Sequence, residues 1–95
     1  MTVTPISPVD IQDSIIGLLR QRAPEASICP SEVARDVAGG GQGWQPLMVP
    51  VREVAVALAH RGLIRITQGQ NDIDPSSPTK GPLRLRRGRA WPSDV

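Results

Sequence analysis

A chain of 95 residues with a formal net charge of +2 is long enough for one small domain, and its core must be aliphatic because it contains no Phe or Tyr. Its single cysteine and single histidine exclude an internal disulfide and leave no plausible ligand set for zinc. The sequence has no apolar run of about 18 residues and no basic-then-apolar start, so we expect a cytoplasmic protein without a membrane segment.

The first predicted helix begins at Pro8 and ends near Arg22. Ser7 is a favourable N-cap residue, proline fits the first helical position, and Asp10 places a carboxylate beside the exposed amides of the first turn. Ile6 is spaced to pack on Ile11 across the cap. Residues 1–5 before this signal are predicted to be disordered.

The same start signal recurs at Cys29-Pro30-Ser31-Glu32 and predicts a second helix of about two turns, which the glycines from Gly39 terminate. A thiol at a helix N-terminus can have a lowered pKa, but enzymatic use would need a nearby base. The chain's one histidine, His60, is predicted on the outer side of another helix. We therefore interpret Cys29 as a cap residue and expect a protein that is not an enzyme and uses no cofactor or metal.

A short helical turn at 45–48 and a main helix from Pro50 follow, with Pro50 in the first turn of that helix. Val51, Val54, Ala55 and Leu58 recur at helical spacing and form its buried stripe. Gly62 stands where a helix end favours a residue that tolerates positive φ.

Two alternating segments predict strands at 63–67 and 83–86 that pair antiparallel, with polar loop sequence between them. Their pairing directs Leu83, Leu85, Ile64 and Ile66 inward and three arginines, Arg65, Arg84 and Arg86, outward. The predicted fold class is α+β, mainly α: a winged helix-turn-helix with three helices and a small antiparallel β-hairpin wing, spanning residues 6–87. Residues 88–95 are predicted to form a disordered tail.

Several motifs are specific in combination: Cys29-Pro30-Ser31-Glu32-Val33-Ala34-Arg35, Trp44 with Leu47-Met48, Val51-Arg52, Gly62, Ile64, Thr67-Gln68, Asp74-Pro75 and Gly81-Pro82-Leu83-Arg84-Leu85. Through them residues 9–87 resemble a family of small bacterial winged-helix-like proteins catalogued only as a domain of unknown function. The resemblance implies a fold and no established activity. Relatives often carry basic residues after the Thr-Gln pair, where this chain has Gly69-Gln70-Asn71-Asp72, so the wing tip is not expected to hold phosphate.

Charge is divided unevenly along the chain. Residues 1–60 contain four arginines and six acids, a net charge of −2, whereas residues 61–95 contain seven basic residues and three acids, a net charge of +4. Clustered arginines on a small domain favour nucleic-acid binding, as in a transcriptional regulator or an accessory protein. The candidate base contacts are Gln42 and Gln45, and the candidate phosphate contacts are Arg52, Arg65, Lys80, Arg84 and Arg86.

The outer face of the main helix argues against a typical DNA reader, because it carries Glu53 and small apolar side chains. The alternative hypothesis is a protein-interaction module that uses Val49, Val56 and Ala57 to bind a protein partner or a second copy of the chain. On this hypothesis the outward arginines are an ordinary solvated surface.

Overall fold

The computed structural model describes residues 6–40, 42–75 and 82–92. Helix α1 spans Pro8–Arg20 and is capped as predicted. The Asp10 backbone N–H donates to Ser7 Oγ at 3.2 Å, and the Ser7 N–H donates to Asp10 Oδ2 at 3.0 Å. The two bonds satisfy amides that the first turn of a helix leaves without an internal acceptor.

Strand β1, Ser27–Ile28, precedes helix α2, Pro30–Val37. Glu32 stabilises the start of α2, because its Oε2 accepts from the Cys29 N–H at 2.7 Å while its Oε1 lies 2.9 Å from Nη2 of Arg22. The second helix was predicted where it lies. Strand β1 was not predicted, because two residues are too few to show an alternating pattern.

Gln45–Leu47 form a single 3₁₀ turn that leads directly into helix α3, Met48–His60. Pro50 lies in the first turn of α3, as predicted. N–H groups in a first turn have no acceptor within the helix, so proline's missing N–H costs no helical hydrogen bond there. Trp44 is half-buried at this junction, and the Arg35 guanidinium carbon lies 4.6 Å from its ring centre. Gly62 follows α3 with φ of 77°.

The remaining strands are β2 (Ile64–Gln68), β3 (Asn71–Asp72) and β4 (Arg84–Arg87). With β1 they form one antiparallel sheet in the order β1-β4-β2-β3. Gln68 pairs with Asn71 across a two-residue loop in which Gly69 has φ of 62°, the sign that such tight hairpins require at this position. Residues 68–72 were predicted to belong to the polar loop between the two strands, so the short edge strand β3 is a correction.

The core lies between the three helices and the inner face of the sheet. The sheet side of the core contributes Ile64, Ile66 and Leu85 from the strands and Leu83, which directly precedes β4. All four are buried, as predicted. The helices contribute nonpolar side chains at helical spacing: Ile11, Ile15, Leu19, Val33, Ala34, Val51, Ala55 and Leu58. The architecture is therefore the expected α+β, mainly α fold, with three helices and a β-hairpin wing.

Arg87 ends β4 on the inner, core-facing side of the sheet. Its Nη2 donates to the backbone carbonyls of Leu19, Arg20 and Arg22 at 2.9, 3.5 and 3.0 Å, where α1 ends. Carbonyls at a helix C-terminus lack internal donors and carry partial negative charge, so a cation stabilises them. The guanidinium carbon of Arg87 also lies 5.0 Å from the ring centre of Trp91.

Residues 88–92, which the sequence assigned to a disordered tail, pack against the end of the hairpin. The Gly88 N–H donates to the Leu63 carbonyl and the Ala90 N–H to the Gly62 carbonyl, both at 2.9 Å. A Cβ atom at Gly88 would overlap the Gly62 carbonyl oxygen and approach the Ile64 nitrogen to 2.9 Å. The close backbone contact requires glycine there. Residues 1–5 and 93–95 lie outside the described residues.

Candidate nucleic-acid interface

The outer face of the sheet carries two rows of polar side chains. Strand register places Ser27, Arg86 and Arg65 in one row across β1, β4 and β2, because Arg86 pairs with both of the others. The second row, across β4, β2 and β3, consists of Arg84, Thr67 and Asp72. We call these six residues the basic sheet face. It contains three arginines and one acid.

Arg84 and Arg86 are held in fixed orientations by neutral oxygen atoms. Arg84 donates from Nε to Ser27 Oγ at 2.8 Å and from Nη2 to the Ser27 carbonyl at 3.1 Å. Arg86 donates from Nε to Thr67 Oγ1 at 3.3 Å and from Nη1 to the Glu25 carbonyl at 2.8 Å. These bonds order both guanidinium groups and leave their positive charge uncancelled by the bonded atoms.

Arg65 is more exposed and has an acidic neighbour. Its Nη1 lies 3.5 Å from Oδ1 of Asp72, and the two side chains are 51% and 64% exposed. An ion pair this open to water contributes at most about 1 kcal/mol, because solvent screens the attraction and both side chains lose freedom. Arg65 is thus loosely paired, whereas its two neighbours are anchored.

A polar cluster adjoins the basic sheet face at the start of α2. The pKa of Cys29 is lowered, chiefly because its thiolate accepts a hydrogen bond from the Ser31 hydroxyl; partial burial opposes the shift, and the charge of Arg84 adds to it. The pKa of Glu32 is lowered by its hydrogen bond from Arg22, and also by the Cys29 N–H and Arg84. Arg84 therefore influences two titratable groups as well as the sheet surface.

A cleft of about 390 Å³ lies at the other end of this face, where β4 runs into the turn at Gly88. It is lined by Arg65, Asp72, Arg87, Gly88 and Arg89. Arg89 is exposed and, within the described ranges, makes no hydrogen bond or ion pair. We call this the Arg89 cleft.

A family model matches residues 8–88, most of the chain. The chain belongs to the family described as "Protein of unknown function (DUF3253)". This confirms the resemblance to a domain of unknown function. No curated protein matches the sequence.

Three of the predicted contact residues of this DUF3253 domain, Arg65, Arg84 and Arg86, lie together on the basic sheet face. The others are not on the sheet. Arg52 is exposed on α3, Gln45 is exposed in the 3₁₀ turn before α3, and Gln42 is exposed just ahead of that turn. Lys80 lies outside the described residues.

The outer face of α3 differs from the predicted one in a single residue. Val49 is 67% exposed, and Glu53, Ala57 and His60 are also exposed. Val56, predicted on this face, is instead half-buried and packs against the core. Val56 therefore lies at the edge of the core and not on the side of α3 opposite the core. The apolar outer surface of the DUF3253 domain is smaller than expected.

Three residues of the site were not predicted from the sequence. Ser27 accepts hydrogen bonds from Arg84, Thr67 accepts one from Arg86, and Arg89 lines the cleft. Ser27 gave no local signal, because its role depends on a strand far along the chain. Arg87 could have been found, since 83, 85 and 87 share one face of a strand and the first two are core leucines. Nothing in the sequence marks Arg89.

Two further properties of the described ranges bear on function. No group of three histidine, cysteine or carboxylate side chains within them is placed to hold a metal ion. No helix within them combines the length and apolar character needed to cross a membrane.

Proposed function

We propose that this protein is a non-catalytic, cytoplasmic winged-helix protein that binds nucleic acid through its basic sheet face, as a transcriptional regulator or an accessory factor. The observation that carries the proposal is the alignment of Arg65 with Arg86, with Arg84 in the next row. Arg84 and Arg86 are oriented by hydrogen bonds that they donate to neutral oxygen atoms. Preoriented guanidinium groups suit phosphate oxygens, which accept strong charge-assisted hydrogen bonds.

Contacts of this kind position a nucleic acid without reading its sequence. On α3 the outward residues Val49, Glu53 and His60 offer little that could distinguish base edges in a groove. Gln42 and Gln45 are the candidate base contacts at the start of that helix, and Arg52 and Lys80 are further candidate phosphate contacts. We therefore expect binding in which phosphate contacts dominate and sequence preference is weak.

The test is a salt titration of binding to a fluorescently labelled duplex of arbitrary sequence, followed by anisotropy. Three arginine–phosphate contacts give a slope of about −2.7 in log K against log salt. Replacing Arg65, Arg84 and Arg86 one at a time by glutamine should flatten the slope by about one unit each.

Arg20→Gln is the matched control, because it removes the same charge from an exposed position on α1. It should change the slope much less than the three sheet substitutions. Thermal melts must show that Arg84→Gln and Arg86→Gln remain folded, since both arginines also hold β1 to the sheet. Absence of duplex binding at low salt would refute the proposal.

The alternative, a protein-interaction module that uses the outer face of α3, has weaker support. Of its three proposed contacts, Val56 packs against the core, and Val49 is left as the one large exposed apolar side chain in α3. Specific interfaces need about 20 residues a side. Val49→Lys should leave duplex binding intact or slightly stronger if the sheet binds nucleic acid. If α3 binds a protein partner, the same substitution should abolish binding of that partner.

A further inference from the structure

The Arg89 cleft is lined by three arginines and one acid. Arg87 is one of the three, but its Nη2 already donates to the carbonyls that end α1. The Gly88 N–H likewise donates to Leu63. Arg65 and Arg89 are therefore the side chains available to an incoming anion, and Asp72 is the group that opposes it.

Arg89 is held beside Arg65 by the backbone rather than by its own side chain. Hydrogen bonds from Gly88 and Ala90 to Leu63 and Gly62 fix the residues on either side of it. The glycine-dependent contact between Gly88 and Gly62 holds the turn against the start of β2. A cation presented from a fixed backbone loses less freedom on binding than one on a mobile segment.

Asp72 is suited to being displaced. Its carboxylate is 3.5 Å from Arg65, and both side chains are more than half exposed, so the pair is weak. Inorganic phosphate near neutral pH carries more negative charge than a carboxylate, whereas a phosphodiester carries the same single charge. Both offer at least two oxygen atoms, so either can accept from both arginines at once.

We propose that the Arg89 cleft is a phosphate-binding subsite in which Asp72 pairs with Arg65 until a phosphate group replaces it. The subsite adds Arg89 to the basic sheet face and extends that face past the end of β4. Its use for nucleic acid rests on the proposed function, whereas its affinity for phosphate does not.

The deciding experiment is a titration of the isotope-labelled 95-residue chain with inorganic phosphate at low ionic strength, followed by amide and arginine Nε–H resonances. Phosphate should shift the signals of Gly88, Arg89 and Arg65 in a saturable manner. Asp72→Asn should bind phosphate at least about threefold more tightly, the factor for removing the repulsion between two unit charges about 6 Å apart in water. Arg89→Gln should weaken binding at least as much.

Arg20→Gln again serves as the control and should bind phosphate like the parent protein. The subsite proposal fails if these signals do not move, if Asp72→Asn binds no more tightly, or if the control loses as much affinity as Arg89→Gln. All the variants change exposed side chains, so loss of folding does not confuse the result.

A duplex titration with the same variants then separates the sources of phosphate. If the subsite serves nucleic acid, Arg89→Gln should flatten the salt slope by about one unit and Asp72→Asn should raise duplex affinity. Saturable phosphate binding without any duplex binding would sustain the subsite, assign it to free phosphate compounds, and refute the proposed nucleic-acid function.

Discussion

Arg87→Ala is expected to destabilise the domain by about 2–3 kcal/mol, although arginines in a partly exposed strand such as β4 usually contribute little to stability. The side chain crosses the edge of the core and donates to three carbonyls at the end of α1. It is therefore a C-terminal cap for a helix that lies more than 60 residues earlier in the chain.

The magnitude follows from the individual contacts. The bonds to Leu19 and Arg22, at 2.9 and 3.0 Å, are charge-assisted and contribute about 1.5–3 kcal/mol each. Against this, the Nε of Arg87 is buried without a partner among the described residues, a penalty of about 1–3 kcal/mol that the alanine removes. Favourable interaction with the helix dipole adds about 0.3–1 kcal/mol.

Urea denaturation followed by far-ultraviolet circular dichroism measures this difference. With a slope near 1 kcal/mol per molar urea for a chain of this size, the midpoint should fall by about 2–3 M. Arg87→Lys should recover part of the loss, because it keeps the charge but not the branched donor. Arg89→Ala, two residues along, should shift stability by less than about 0.5 kcal/mol.

A loss for Arg87→Ala no larger than that of Arg89→Ala would refute the reasoning. It would mean that water satisfies the end of α1 as well as the guanidinium does, so that the long-range cap adds nothing to the stability of the fold.

Three further predictions concern the backbone and the cluster at the start of α2. Gly88→Ala should destabilise by about 3 kcal/mol or more in urea, because its Cβ would strike backbone, whereas Gly17→Ala, in open space within α1, should stabilise by about 0.5–1 kcal/mol. The pH profile of Cys29 alkylation should have its midpoint below that of the urea-unfolded chain, and Arg84→Gln should raise that midpoint; coincident profiles for the folded and unfolded chain would contradict the lowered pKa. Glu32 has a lowered pKa in the folded state, so its contribution to stability is complete above its ordinary pKa of 4.5 and is lost as the pH falls below that value. Glu32→Gln should therefore lose less stability than the parent protein between about pH 5 and pH 3. Parallel stability curves would argue against the ion pair with Arg22 and the hydrogen bond from the Cys29 N–H.

The helices were predictable because their signals are local. Ser7, Pro8 and Asp10 lie within four residues of one another, and the capping bonds they form depend on no distant part of the chain. The inward and outward sides of β2 and β4 were predictable for a similar reason, since alternation along a strand sets the side on which each residue lies.

The rest depended on contacts between distant segments. Ser27 becomes part of the basic sheet face only because β1 pairs with β4, and a two-residue strand carries no pattern of its own. Val56 was placed on the outer face from helical spacing, but how far the core extends around α3 is set by the neighbouring elements. Arg89 was assigned to a tail because the close approach of Gly88 to Gly62 leaves no trace in composition.

The position of β4 in the sheet has a consequence for the order in which the domain can be made. It lies between β1 and β2, although it is the last of the four strands along the part of the chain that the structure describes. During synthesis β1 therefore has no partner until residues near Arg87 have left the ribosome, and the C-terminal end of α1 lacks its contact with Arg87 until the same moment. Helical segments can form earlier, but the sheet and its closing contacts must assemble together, after nearly the whole domain has been translated.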